Sequence, residues 1–223
     1  SMLSSPNMSE RYVAWQQLHK VGAKAEGTLL ELWKSDDQRI RARALHLLAR
    51  IKGAEKKYIN LALKDNNPNI RITGIRIARE RGLDVIPFVK KMVNDKDAGV
   101  RRACAIALRH NESPEAPALW TKLAQQHDGK DRWYLEALGI ALDKQQDKFF
   151  GAWLEAIGSD WDTPAGRDII WRSRSSKTSD LLVKILLNKE TKDEEKPRYI
   201  RALDFQSGPE KDAALIKLIG AGS

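Results

Sequence analysis

An all-α fold, a right-handed α-solenoid of about six stacked helix pairs, is what this sequence predicts. Three observations lead to it. Four arginines, Arg41, Arg71, Arg101 and Arg132, recur at intervals of 30, 30 and 31 residues, and a fixed period of that size marks a stacked repeat architecture. Each has Asp or Asn four positions earlier (Asp37, Asn67, Asp97, Asp128), within turn-forming clusters that recur in step. Between the turns, apolar residues recur with helical rather than alternating spacing.

The elements follow in order. Glu10 to Val21 reads as a first helix, half of a preceding pair. Leu29, Leu30, Leu32 and Trp33 give the next helix a buried stripe; Leu45, Leu47, Leu48 and Ile51 give its partner another, and Gly53 sits where that helix would end. The second unit reads Tyr58 to Lys64, a turn at Asn66-Asn67-Pro68, then Ile70 to Arg81 before Gly82. The third reads Val85 to Val93, with Pro87 in a first turn where its missing N–H costs nothing, then Val100 to His110. Ala118 to Gln126 with Arg132 to Leu142 makes a fourth pair. Phe149 to Ile157 with Pro164 to Arg172 makes a fifth, Thr163 acting as N-cap ahead of Pro164. Leu181 to Leu187 with Arg198 to Phe205 makes a sixth, and Pro209 to Ile219 a last helix. Small residues at Ala44, Gly74 and Ala107 predict close helix approach. The organisation expected is residues 1–8 as a disordered tail or expression scar, 9–142 as regular repeats and 143–223 as divergent repeats continuing the same solenoid.

Composition excludes several classes. Hydrophobic residues are 42% and charged residues 31% of the 223, which is a folded, well-charged chain rather than a disordered one. No apolar run approaches the roughly 18 residues of a membrane span, so no span is expected. The net charge of +9 fits nucleic acid, an anionic surface or an acidic protein, and equally fits plain solubility. Cys104 is the only cysteine and lies in an apolar helical stripe, where it reads as a small buried hydrophobe. His19, His46, His110 and His127 are scattered and read as exposed or half-buried helix residues. No phosphate loop, nucleophile elbow or paired-histidine motif occurs, so no catalytic residues, metal ligands or cofactors are expected in this segment.

The run Asp97-Ala98-Gly99-Val100-Arg101-Arg102-Ala103-Cys104 resembles the Asp-x-x-Val-Arg-x-x-Ala form of bacterial HEAT-like repeats of the phycobilisome-lyase type. That resemblance, clearest over residues 9 to 142, implies an Asp–Arg ladder between neighbouring units; ligand binding by the same pairs is the alternative. Two further runs, Asp128 to Gly139 and Asp162 to Ser173, with Pro197-Arg198-Tyr199 and Ser207 to Lys211, look like the HEAT segment of planctomycete-type haem-binding proteins, often labelled membrane-bound dehydrogenases. This second resemblance implies a middle segment between a propeller and a cytochrome module, and a periplasmic or extracytoplasmic bacterial setting. The haem motif Cys-x-x-Cys-His is absent from the sequence, so haem binding does not carry over.

Two groups of residues are candidates for contact. Arg43, Arg50, Arg76, Arg79 and Arg109 lie on second helices and read either as an anion or nucleic-acid stripe or as cations complementing helix dipoles. Asp131, Arg132, Trp133, Asp162, Arg167, Asp168, Trp171 and Arg172 combine tryptophans with charges, the mixture of interaction hot spots. Trp120 and Trp153 fit core stripes, whereas Trp133, Trp161 and Trp171 fit either core or contact. The functional expectation is a non-catalytic scaffold binding a protein or neighbouring domains of its parent chain. A basic, nucleic-acid-binding solenoid similar to the HEAT-like alkylpurine DNA glycosylases is the alternative, faintly echoed by Trp161-Asp162-Thr163. A lyase or chaperone role rests on fold analogy alone.

Overall fold

The structure, a computed structural model, describes residues 2–221. Its regular elements are all helical among the described residues, and they gather into two compact units, Ser1–Ala107 and Leu108–Ser223. The first unit holds α1 (Met8–Val21), α2 (Glu26–Trp33), α3 (Gln38–Leu48), α4 (Glu55–Leu63), α5 (Pro68–Glu80), α6 (Ile86–Met92) and α7 (Ala98–Ala107). The second holds α8 (Ala116–Ala124), α9 (Arg132–Ala141), α10 (Gln146–Ile157), α11 (Pro164–Arg172), α12 (Thr178–Leu187), α13 (Lys196–Leu203) and α14 (Pro209–Ala221).

In the first unit the pairs α2/α3, α4/α5 and α6/α7 stack so that the second helices α3, α5 and α7 form one row. In the second unit α8/α9 and α12/α13 pair directly, while α10 and α11 meet through a 3-10 turn at Gly158–Trp161. Its second helices α9, α11 and α13 again form a row. The stacked-pair fold is therefore the one the periodicity predicts.

Side-chain caps explain why the second helices begin where they do. Asp37 accepts the Arg39 N–H at 2.8 Å, Asn67 the Asn69 N–H at 2.9 Å, Asp97 the Val100 N–H at 3.1 Å and Thr163 the Gly166 N–H at 3.1 Å. Each bond satisfies an amide that a helix start leaves without a partner. At the far end of α5, Gly82 takes φ +66°, and the Leu83 N–H closes on the Ala78 carbonyl at 3.0 Å, the left-handed stop that glycine makes inexpensive.

The ladder differs from the expected one. Asp37, Asn67 and Asp97, four residues before Arg41, Arg71 and Arg101, cap their own helices. The arginine instead reaches the turn of the following unit, 24 residues on: Arg41 to Asp65 and Arg71 to Asp95. Arg71 is the fullest case. Its Nε and Nη2 both bond the Asp95 carboxylate at 2.8 Å, and its Nη1 bonds the Asp65 and Asn66 carbonyls at 2.8 and 3.0 Å. Asp95 also accepts the Asp97 N–H at 2.9 Å. Arg101 repeats the backward half of this device, donating to the Asp95 carbonyl at 2.7 Å. In the second unit Arg167 bonds Thr191, again 24 residues on, at 3.1 Å.

Arg132 does not belong to this series. Arg41, Arg71, Arg101 and Arg167 each stand four residues after the capping residue, but the cap of α9 is Asp131, whose carboxylate accepts the Tyr134 N–H at 3.0 Å. The ladder position of α9 is therefore Leu135, which is buried. Arg132 stands one residue after the cap and its side chain is 65% exposed.

The core fills as the helical spacing predicts, with Leu45, Leu48, Tyr58, Ile59, Ile70, Ile75 and Val89 buried in the first unit and Trp120, Leu138, Phe149, Phe150, Trp153 and Ile170 in the second. Gly74 has the role expected of a small residue: a Cβ there would stand 3.1 Å from the Ala62 Cβ, so α4 and α5 approach closely. Three expectations need correction. Of the α2 stripe only Leu29 is fully buried; Trp33 is half-buried under the Arg41 guanidinium, 4.7 Å from the ring centroid. Residues 2–8 are not a structureless tail: Met2–Ser4 makes a 3-10 turn, Leu3 is buried, and Asn7 caps α1. His127 is buried rather than exposed, because the Asp168 carboxylate is there to receive it at 3.0 Å.

Two measurements test this packing. Arg71 and Asp95 have side chains only 7% and 8% exposed, so Arg71→Met strands a buried carboxylate and lowers unfolding free energy by about 3–5 kcal/mol. Burial raises the Asp95 pKa, but the Arg71 guanidinium and the Asp97 N–H outweigh it and hold the carboxyl below its ordinary 3.8. A depressed folded-state pKa means that this contribution is complete above the ordinary value and is lost as pH falls through the lowered one. Denaturant titrations of both proteins from neutral pH downward are expected to converge below pH 3.8. Burial likewise pushes the Cys104 thiol up to about 12. A thiol-disulfide reagent at pH 8 is expected to leave it unmodified in the native protein and to modify it fully in denaturant; fast native labelling contradicts the packing.

Candidate functional site

The helix row α9–α11–α13 of the second unit gathers most of the residues expected to make contact. Asp131 is the N-cap of α9, so its role there is structural. Arg132 extends along the helix surface, bonds Glu136 at 2.7 Å and lays its guanidinium 5.2 Å from the Trp171 ring centroid. Arg198, from α13, lies 4.5 Å from the same centroid. Trp171 is thus flanked by two guanidiniums, a cation–π arrangement. Arg198 also bonds Asp168 at 2.6 Å, and Asp168 receives His127 on its other oxygen. Burial pushes the Asp168 carboxyl up, yet its bonds to His127 and Arg198 together hold it below the ordinary carboxylate value.

Arg167 and Asp162 form a separate, structural pair. They bond at 2.5 Å, and the second Asp162 oxygen accepts the Asn188 amide at 3.0 Å. The Arg167 bond is the main cause of a lowered Asp162 pKa. With both oxygens engaged, Asp162 is an ionised structural carboxylate rather than a poised base.

Trp133 is the outstanding surface residue, 72% exposed. It stands two residues after the cap of α9, where the corresponding residues Arg39 and Asn69 of α3 and α5 are also exposed. The core alternative therefore fails for Trp133, while Trp161 and Trp171 are half-buried. Trp120 and Trp153 are buried completely, as expected. Trp133, Glu136 and Ile140 follow each other at spacings of three and four along one stripe of α9, and Asp143 stands in the turn that follows.

At the C-terminal end of that stripe lies a cleft of about 380 Å³ lined by Arg109, Gly139, Ile140, Asp143, Gln146 and Arg172. Arg172 lies flat across Gly139, where a Cβ would stand 2.5 Å from its Cζ. Its Nε bonds Glu136 at 2.9 Å. Across the cleft Arg109 bonds Asp143 through Nη2 at 2.5 Å and Nε at 3.1 Å, and His110 Nε2 meets the same carboxylate oxygen at 2.8 Å. These bonds lower the Asp143 pKa, Arg109 contributing most. Glu136 is also lowered: burial opposes, but Arg172 and Arg132 prevail. Two backbone exceptions border the cleft. His110 and Lys144 both take φ +60°, at turns equivalent to those that Gly53 and Gly82 close in the first unit. A non-glycine residue there costs roughly 1–2 kcal/mol, and such strain gathers at functional sites.

The five arginines of the expected stripe have different surroundings. Arg43 donates to the Leu3 carbonyl at 2.6 Å, and burial lowers its pKa. Arg50 packs 5.2 Å from the Trp15 ring centroid. Arg76 and Arg79 on α5 are exposed, whereas Arg109 serves the cleft of the second unit. Sequence reasoning missed Glu136, Gly139, Asp143, His127 and Arg198 as site members. Glu136 carried a signal for its bond to Arg132, four residues before it on a helix; its bond to Arg172 and those of Asp168 to His127 and Arg198, spanning 36, 41 and 30 residues, carried none.

Among the described residues, no group of three or more His, Cys, Asp or Glu is placed to hold a metal ion, and no helix is long and apolar enough to cross a membrane. Residues 55–139 match the family model for HEAT repeats, a span that runs from α4 through most of α9. Proteins built of such repeats are commonly scaffolds for protein interactions. No curated protein matches the chain. The exposure difference between the tryptophans yields a direct test: Trp133→Ala shifts stability by no more than about 0.5 kcal/mol, whereas Trp153→Ala costs about 3–5 kcal/mol, both read from denaturant unfolding.

Proposed function

We propose that this segment is a non-catalytic HEAT-repeat scaffold that binds a protein or the neighbouring domains of its parent chain through the α9–α11–α13 row of the second unit. The observation that carries the reading is Trp133, an aromatic side chain 72% exposed and next in sequence to Arg132, whose guanidinium lies 5.2 Å from the Trp171 ring centroid. Exposed aromatic and arginine side chains on a rigid helix row are the usual anchors of protein interfaces. The titratable groups nearby support binding rather than chemistry: Glu136, Asp143, Asp162 and Asp168 are all ion-paired and held ionised, so none is tuned for proton transfer at neutral pH. The reading requires no cofactor in this segment.

The resemblance of residues 128–139 and 162–173 to haem-binding dehydrogenase-type proteins favours a bacterial redox protein as the parent and an extracytoplasmic setting. A second reading, nucleic-acid binding, draws on the +9 charge and on exposed Arg76 and Arg79. The ion pairing of Arg109, Arg132, Arg167, Arg172 and Arg198 weighs against it, since neutralised cations release few counterions.

Interaction measurements on the full-length parent decide between them. Arg132→Glu combined with Trp133→Ala is expected to weaken binding to its neighbouring domains or partner about tenfold or more; an unchanged set of interactions would place the surface elsewhere. A duplex DNA titration at about 50 mM and 200 mM salt is expected to show no specific complex. Tight binding at low salt with a steep decline would replace the scaffold reading.

A further inference from the structure

We infer that the cleft over Gly139 is a recognition pocket for a single carboxylate, presented by an acidic side chain next to an apolar residue of a partner polypeptide. This rests on the scaffold reading and gives its partner a chemistry. Arg109 and Arg172 line the same cleft. Each is held at one edge by a carboxylate: Arg109 through Nε and Nη2 by Asp143, Arg172 through Nε by Glu136. Among the described residues, Arg109 Nη1 and both Arg172 Nη groups carry no hydrogen bond, so their N–H donors remain for a ligand. Guanidiniums fixed at one edge and open at the other are pre-organised for the planar, two-oxygen geometry of a carboxylate, with little side-chain entropy left to lose.

The surroundings select among anions. Arg132 also bonds Glu136, so three guanidiniums stand against the carboxylates of Asp143 and Glu136, a surplus of one positive charge. One monoanion balances that surplus, whereas a polyanion would bring its neighbouring charges against Asp143 and Glu136. Ile140, half-exposed, supplies an apolar wall, and Trp133 stands two helical turns away on the same stripe of α9. Gly139 is what admits the arrangement: any side chain there would occupy the place of the Arg172 guanidinium. The same constraint separates the two arginines experimentally, because the three nearest atoms to a Cβ at position 139 are the Arg172 Cζ, Nε and Cγ, at 2.5, 2.6 and 2.8 Å, so Gly139→Ala displaces the Arg172 side chain.

The test uses the full chain and N-acetyl-leucyl-glutamate amide as probe, followed by NMR at the Gly139 amide and the arginine Nε–H groups. Saturable shifts are expected, and Gly139→Ala or Arg172→Gln should each weaken the probe about tenfold or more; Arg79→Gln serves as control and should leave it unchanged. If Gly139→Ala fails to fold, Arg172→Gln carries the comparison. Equal binding of the glutamine counterpart overturns the proposal, as does tighter binding of inorganic phosphate or of a DNA duplex, or undiminished binding in both variants. Partner capture by the parent separates this from the scaffold reading. Capture lost in Trp133→Ala but kept in Gly139→Ala removes the carboxylate pocket alone; probe binding intact with capture indifferent to both removes the scaffold surface alone.

Discussion

The stack depends on one recurring interaction, a buried arginine that joins the turns of two consecutive helix pairs. A helix pair leaves carbonyls without partners at the turn between its helices, and burial there without hydrogen bonds is costly. Arg71 meets that requirement in both directions, bonding the Asp65 and Asn66 carbonyls of its own turn and the Asp95 carboxylate of the next. Asp95 in turn binds the Asp97 N–H, so one carboxylate shapes its turn and receives the preceding unit. A guanidinium suits this position because its donors form a planar fork; a lysine ammonium presents a single point. Spacing between units is thus set by polar joints, while the apolar stripes provide the bulk of the stabilisation.

The second unit relaxes this rule, and its surface chemistry follows. Where α9 begins three residues late relative to the arginine period, the ladder position passes to Leu135, and Arg132 is released to solvent, as is its chain neighbour Trp133. Arg167 keeps the 24-residue reach but meets Thr191, a neutral partner, and takes Asp162 as its charge partner. Two turns that would end in glycine carry His110 and Lys144 instead. These departures border the same helix row, and they convert a structural repeat into a surface with an exposed tryptophan, a double-cation aromatic stack and a cleft between two arginines. Departure from the local rules concentrates where binding is proposed, as expected when function competes with ideal packing.

Much of this was legible in the sequence for a simple reason. Helix periodicity, turn residues and caps are local, and each is written within four or five neighbouring positions, as at Thr163-Pro164 or Gly82. Burial of Trp120, Trp153 and Cys104 follows from the same pattern, since a residue on an apolar stripe has one direction to point. The fourth arginine shows the limit. Its spacing of 31 residues imitates the period, yet the cap at Asp131 rather than Asp128 rotates Arg132 out of the ladder, because each residue of phase turns a side chain through about 100°.

The sequence by itself determined the helices, their pairing and the identity of the core. Only the tertiary structure decided which charges meet: Arg71 with Asp95, His127 with Asp168, Arg172 with Glu136 and with the bare backbone of Gly139. Those partners lie 24 to 41 residues apart, and their encounter depends on how far one pair is translated and turned on the next. That displacement is a property of the packed stack, summed over many contacts, and no short stretch of residues encodes it.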